Sequence, residues 1–380
     1  MAEYRIVLAG GGTGGHLFPC LALADCFRSK FPESEIVFVG TRRGIEARII
    51  PESPYPLLLL PVRGLLRKLT LQNALFPFRL LISILKCSFF FMKFKPDLVI
   101  GCGGYVSGPA LTAAGLLNIK RVIQEQNSYP GLVNRRLANK VDAAFLTFEA
   151  SKKFFSQQKN VFIYGNPMRQ PDLPEDKKYI WKKYGLDETR KTLLIFGGSQ
   201  GARGMNEVVG AALSSLLDIE GIQIVWLVGP NWLETWKEKE SLAPDRLKIM
   251  GFVENMFELY SITALALCRA GATTISELAT QNIPAIYVPL PSATADHQTE
   301  NAKAIVQLGG GELIPESQLT PVRLQEQVDT LINDSSRLST MGRAAGELSM
   351  KNAAENIVNE CVRIMNRSGS QAGQPAGSEL

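Results

Sequence analysis

The sequence predicts a doubly wound α/β fold built from two Rossmann-like parallel-sheet domains, on three observations. Short apolar runs without polar alternation recur along the chain, helix-length segments separate them, and a strand–glycine turn–helix pattern opens each half. An apolar run with no alternation is buried on both faces, which means a parallel sheet covered by helices on each side. At 380 residues the chain exceeds the ~100–200 residues of a single domain, so two domains are expected.

The strands of the first half read as "RIVLAG", "EIVFVG", "PDLVIG", "RVIQEQ" and "AAFLTF". Those of the second half read as "TLLIFGG", "QIVWLVG", "ALALCRAG" and "PAIYVPL". Between the halves, residues 164–179 ("YGNPMRQPDLPEDKKY") exchange apolar periodicity for prolines and charges, as expected where few contacts cross. The expected division is an N-terminal domain over 1–164, a linker over 165–179 and a C-terminal domain over 180–345. A helix over 346–367 follows, with apolar spacing at Ile357, Cys361 and Ile364, and then a flexible polar tail over 368–380.

A hydrophobic fraction of 46% with 20% charged residues is that of a globular protein and excludes wholesale disorder. The net charge of +5 is too small to indicate nucleic acid, but it suits anionic substrates or anionic lipid surfaces. The six cysteines form no C-x-x-C pair and lie mostly in apolar runs, so neither a zinc site nor a disulfide framework is expected. The first apolar run is too short for a signal-peptide core or a membrane span, so a cytoplasmic-side protein is expected.

Glycine turns carry the chemistry. Gly10 to Gly15 spell G-x-G-x-x-G between a strand and a helix, where exposed N–H groups and peptide dipoles favour a phosphate. A dinucleotide site also wants an acidic residue at the end of the second strand, yet "EIVFVGTRRG" offers Arg42 and Arg43. NAD is therefore disfavoured, and an NADP-dependent oxidoreductase remains an alternative. His16, one of only two histidines with His297, follows the turn. It is either a general base, largely neutral at cellular pH, or a cap on the helix start.

The second turn, "GCGGYVSGPA" at 101–110, puts further N–H groups in the same domain; two adjacent turns suit a pyrophosphate, and close packing is the structural alternative. The third, "GGSQGARGMN" from Gly197, adds Ser199 and Gln200 for a second phosphorylated ligand. In "CRAGATTISELAT", Gly271 to Thr274 open a helix with Glu277 one turn in. Amides and threonine hydroxyls there can bind a diphosphate without metal, and the carboxylate can take two ribose hydroxyls. The spacing of Thr274 and Glu277 also fits a capping box.

Seven segments in order, "GGTGGHLFP", "GCGGYVSGP", "QEQNSYPGLVNR", "GNPMR", "GGSQGARGMN", "CRAGATTISE" and "DHQTENA", resemble the MurG family of glycosyltransferases over about residues 5 to 305. The resemblance implies the two-domain GT-B architecture with domains facing a cleft and a C-terminal helix returning to the first domain. It implies transfer of N-acetylglucosamine from UDP-N-acetylglucosamine to the lipid-linked acceptor lipid I, making lipid II. On the matching positions, Thr13, Gly14, Gly15, Asn127, Arg169, Ser199, Val253, Ala272, Thr273, Thr274, Ile275, Ser276, Glu277 and Gln298 would contact the sugar nucleotide. Gly12, Gly103, Gly104 and Tyr105 would hold the acceptor pyrophosphate. His16 is the first choice for the base and Glu125 its rival. No aspartate cluster suits octahedral Mg²⁺, so no metal or other cofactor is expected. A UDP-N-acetylglucosamine 2-epimerase, which shares fold and donor, is a further alternative.

A lipid acceptor requires a membrane. Residues 74–95, "ALFPFRLLISILKCSFFFMKFK", are dense in Leu, Ile and Phe, punctuated by Arg79, Lys86, Lys93 and Lys95 and preceded by the basic "RGLLRK" at 63–68. Interior charges and Pro77 oppose a spanning helix; apolar surface fringed with cations suits the cytoplasmic face of an anionic membrane. Part of this stretch is expected in the core and the outward part against lipid. The expected partners are thus UDP-N-acetylglucosamine, lipid I and that membrane face, with no nucleic acid.

Overall fold

The structure, a computed structural model, describes residues 3–64, 74–169, 176–293 and 296–366. The chain divides into two compact units, 1–169 together with 352–380, and 170–351. Of the expected segments, most of "RGLLRK", much of the linker and the polar tail lie outside the described residues.

The first unit is a seven-stranded, all-parallel sheet. Its strands are β1 (Arg5–Gly10), β2 (Glu35–Thr41), β3 (Leu57–Leu60), β4 (Leu98–Gly103), β5 (Lys120–Glu125), β6 (Ala143–Leu146) and β7 (Val161–Ile163). They run in the order β3-β2-β1-β4-β5-β6-β7. Ile6, Leu8, Ile100 and Phe145 feed the core on one face, and Val7, Ala9, Val99 and Leu146 feed the core on the other. That two-sided burial is what the unalternated runs encode.

The helix Ala353–Asn366 belongs to this first unit although the whole second unit precedes it in sequence. Ile357, Val358, Cys361 and Ile364 enter the core beside the helix Gly14–Lys30. Lys30 Nζ ties the two helices from the solvent side, 2.6 Å from Glu355 Oε1 and 2.9 Å from Asn359 Oδ1.

The helix Phe76–Phe94 buries only Ser83, Cys87 and Phe91, a single stripe spaced four residues apart, toward the helix Ser107–Leu116. Phe76, Ile84, Phe90 and Phe94 are partly buried against the same core, and the outward face exposes Phe78, Leu81, Ile82, Leu85, Met92 and, at 72%, Phe89. Among the described residues no helix is long and apolar enough to cross a membrane.

The second unit is a six-stranded parallel sheet of β8 (Lys191–Phe196), β9 (Ile222–Leu227), β10 (Leu247–Met250), β11 (Thr263–Cys268), β12 (Ala285–Tyr287) and β13 (Gly311–Leu313). The order is β10-β9-β8-β11-β12-β13. All nine runs read from the sequence are strands here, and the four additional strands, β3, β7, β10 and β13, are the four sheet edges.

Candidate active site

In each sheet the strand order reverses once, between β1 and β4 in the first unit and between β8 and β11 in the second. Ligands of open parallel sheets bind beyond the carboxyl ends of the strands at such a reversal, because the diverging connections leave a crevice there. Four helices start at these points: Gly14–Lys30 after β1, Ser107–Leu116 after β4, Arg203–Leu217 after β8 and Ala272–Thr280 after β11. None of the four has a side-chain cap. Elsewhere the chain does use caps, with Asn255, Thr320 and Asp334 each accepting a bond from the helix they open. Uncapped starts leave first-turn N–H groups for something other than protein, and their dipoles select an anion.

At the first reversal, His16 does not cap its helix. Its Nδ1 lies 3.0 Å from Gln126 Oε1, and Gln126 Nε2 donates to the Cys102 carbonyl at 2.7 Å. The ring lies against Gly103, whose φ of +104° and lack of Cβ make room for it; an added Cβ would stand 2.7 Å from Nδ1.

The rival base, Glu125, is committed elsewhere. Its Oε1 accepts from the Asn127 N–H at 2.9 Å and from Asn127 Nδ2 at 3.2 Å, and its Oε2 from the Gly131 N–H at 3.0 Å and Asn134 Nδ2 at 2.7 Å. Buried and holding four donors, this carboxylate organises the 127–134 loop, a correction to its candidacy as base.

Two of the expected pyrophosphate donors are also spent within the protein. The Gly12 N–H donates to Glu46 Oε2 at 2.8 Å, and the Gly103 N–H donates to Ser107 Oγ at 2.9 Å. The amides of Gly14, Gly15, Gly104 and Tyr105 have no partner among the described residues. Glu46 is fully buried; its Oε1 accepts from the Thr41 N–H at 2.7 Å and from Thr41 Oγ1 at 2.9 Å. Its side chain packs against Gly11, Gly40 and Gly44, none of which has room for a Cβ. A dinucleotide places its ribose between the glycine turn and the end of the second strand. Here the Glu46 carboxylate fills that space, which removes the oxidoreductase alternative.

The second reversal is open. Gly197, Gly198, Gly201, Arg203, Gly271, Thr274, Gln298 and Glu316 are among the residues lining a cleft of about 440 Å³, within the size range of small-molecule sites. The helix Ala272–Thr280 points its start into it from Gly271, whose extended ψ of 139° begins the helix without help from Thr274 or Glu277, so the capping-box reading fails. Glu277 instead accepts a hydrogen bond from the buried Tyr260 hydroxyl at 2.9 Å. Burial pushes its carboxyl up to about 7, against the lowering effect of that hydroxyl. The Thr273 hydroxyl is buried with no partner among the described residues. Arg269, beside the cleft, donates to the carbonyls of Val288 and Pro289 at 3.1 and 3.2 Å and pairs with Glu316, fixing the loop after β12.

The other expected residues fall as follows. Gln298 lines the cleft, and its Oε1 accepts from the Leu290 N–H at 2.9 Å. Ser199 is exposed on the turn after β8, and Val253 is buried beside the exposed Phe252. Ala272 and Thr273 sit in the open first turn, but Ile275 and Ser276 face inward, with Ser276 Oγ donating to the Ala272 carbonyl at 2.8 Å. Thr13, Gly14, Gly15, Asn127 and Arg169 belong to the first unit. Arg169 pairs there with Asp25, Nε to Oδ2 at 2.5 Å, the linker-anchoring role and not a free guanidinium. Sequence reasoning missed Glu46, Tyr260 and Arg269. Only Arg269, directly after a strand in "CRAG", carries a local signal.

Among the described residues no three or more His, Cys, Asp or Glu side chains lie together as a metal site. Comparison with known proteins adds identity to this geometry. Residues 6–146 match the glycosyltransferase family 28 N-terminal domain and residues 192–357 the family 28 C-terminal domain. A Flavobacterium psychrophilum protein named UDP-N-acetylglucosamine–N-acetylmuramyl-(pentapeptide) pyrophosphoryl-undecaprenol N-acetylglucosamine transferase is 38% identical over 367 residues, 96% of this chain and 99% of its own. The Myxococcus xanthus protein of the same name is 39% identical over 364 residues, 95% of this chain and 93% of its own. The crystal structure of Acinetobacter baumannii MurG matches with a TM-score of 0.76 at 30% identity, covering 95% of this chain and 99% of that one. Two doubly wound units, open helix starts at both reversals and full-length similarity to these enzymes converge: the chain belongs to glycosyltransferase family 28, in its MurG branch.

Proposed function

We infer that this chain transfers N-acetylglucosamine from UDP-N-acetylglucosamine to the C4 hydroxyl of the muramoyl sugar of lipid I, forming lipid II with inversion at the anomeric carbon. Two observations support the reading: in the second unit, an open cleft at the start of the helix Ala272–Thr280, and in the first, a histidine held beside a glycine turn. Direct displacement makes two demands: a group to accept the hydroxyl proton and a means to stabilise charge growing on the departing diphosphate. His16 meets the first. The first-turn amides of Ala272, Thr273 and Thr274 meet the second without a metal ion, and Glu277 accepts from the ribose hydroxyls. With the Gly12 and Gly103 N–H groups engaged, the acceptor pyrophosphate rests on the amides of Gly104 and Tyr105 and on those of Gly14 and Gly15, which the resemblance assigned to the sugar nucleotide.

The first unit also carries the lipid contact. The exposed side chains of the helix Phe76–Phe94, fringed by Arg79, Lys86, Lys93 and Lys95, lie on the cytoplasmic face of an anionic membrane. The protein is peripheral in this reading, not embedded.

The deciding assay supplies labelled UDP-N-acetylglucosamine with and without a short-chain lipid I analogue. Label should pass to the analogue only when both are present. Conversion of the donor to its 2-epimer without acceptor would overturn the assignment. For the membrane contact, Phe78→Ser with Phe89→Ser should lower partitioning onto anionic vesicles at least ~10-fold, since each buried Phe is worth ~1.5–3 kcal/mol. Equal partitioning would remove the helix from that role.

A further inference from the structure

We propose that Gln126 is a positioning residue that fixes the tautomer of His16, a proposal that rests on His16 being the base. A side-chain amide has one accepting end and one donating end, and its surroundings decide which is which. One end of Gln126 lies 2.7 Å from the Cys102 carbonyl oxygen, which can only accept, so that end is the Nε2 amide. The other end, Oε1, then faces His16 Nδ1 at 3.0 Å. An amide oxygen cannot donate, so Nδ1 carries the proton and Nε2 keeps its lone pair. Nε2 has no hydrogen-bond partner among the described residues.

The clamp is built into the sheet. Pairing of β1 with β4 slips at its carboxyl end: Ala9 pairs with Gly101 but Gly10 pairs with Gly103, so Cys102 is skipped. Such a slip re-aims one residue, and here the Cys102 carbonyl meets Gln126. Gln126 itself is 2% exposed, at the end of β5, with Gln124 Oε1 also touching its Nε2. The same slip brings Gly103 under the imidazole ring. Three strands therefore converge on one proton.

The choice of an amide has a physical reason. An unrestrained neutral imidazole in water prefers its proton on Nε2, the wrong nitrogen for a base that attacks through Nε2. A carboxylate partner would correct the tautomer but add negative charge beside an anionic acceptor. Glutamine corrects it at no charge.

The test uses the full chain labelled with ¹⁵N at histidine. Only two imidazoles exist, His16 and His297, and the resonances lost in His16→Ala identify the first. Wild type should show Nδ1 protonated and Nε2 in the unprotonated range. Gln126→Leu should move the proton to Nε2 and lower kcat ~10–100-fold, part of what a general base supplies, with the donor KM within about twofold because donor-binding groups are untouched. Gln126→Glu, whose carboxyl still accepts from Nδ1, should keep the wild-type tautomer. A wild-type His16 protonated on Nε2, or a folded Gln126→Leu enzyme with unchanged kcat, overturns the proposal. If Gln126→Leu does not fold, the wild-type and Gln126→Glu spectra decide. Wild-type transfer by His16→Ala would instead sink the base assignment; an inactive His16→Ala beside a fully active Gln126→Leu sinks only the role of Gln126.

Discussion

The two sheets reverse their strand order in the same way, and helices begin uncapped at both reversals, but the space beyond the strands is furnished differently. In the first unit side chains occupy part of it: Glu46 takes the Gly12 N–H of the turn after β1, and Gln126 holds His16 across the ends of β4 and β5. In the second unit it stays open, with Glu277 and Tyr260 to one side of the helix start and the Arg269–Glu316 pair bracing the wall. Under the proposed function, one topology thus serves proton transfer beside the acceptor in one unit and donor binding in the other. The fold sets where chemistry occurs, and a few buried side chains set which chemistry.

That division can be broken by mutation. The largest expected effect is at the filled site: His16→Ala should lower kcat ~10²–10⁴-fold while donor affinity, measured by titration with UDP, stays put. A matching loss of UDP affinity would mean the two sites are not separate. Next, Glu277→Ala should raise the donor KM roughly 10–100-fold, the worth of hydrogen bonds to a charged group, and leave the acceptor KM alone; an unaltered donor KM removes Glu277 from the ribose.

Smaller effects sharpen the contrast. Glu46→Gln places an NH₂ against either the Gly12 or the Thr41 donors, so the acceptor KM should rise about 3–10-fold and the first unit should melt earlier, a cost of ~1–2 kcal/mol for mispaired donors. The donor KM should not move. The smallest effect is in pH. Because burial lifts the Glu277 carboxyl to about 7, it is largely neutral below that value and ionised above it, and the ionised form accepts better from two hydroxyls. The donor KM should therefore fall as pH rises from 6 to 8, by a factor of about three, and Glu277→Gln should flatten that slope. A persisting slope in the variant would assign it to another group.

The interior of each sheet was legible because a strand covered on both faces has no polar alternation to confuse it. The edges were not: β7 is half-buried throughout, "GEL" of β13 carries a glutamate, and "LKIM" of β10 alternates. Edge strands are short and partly wet, and local pattern does not separate them from loops. At the site, the helix starts that follow the glycine turns were readable from glycine and spacing. Which amides remain available was not, because Gly12 is claimed by Glu46, 34 positions away. The sequence likewise left His16 and Glu125 as rival bases, because the four donors that engage Glu125 come together only in the fold.

The helix Ala353–Asn366 has a consequence for biosynthesis. A ribosome makes 170–351 as one uninterrupted stretch, so that unit has all its residues as soon as they emerge. The amino-terminal unit, made first, must wait: Ile357, Val358, Cys361 and Ile364 arrive only after its neighbour is complete. Until then the apolar face of Gly14–Lys30 stands uncovered, and the nascent chain finishes its older half last.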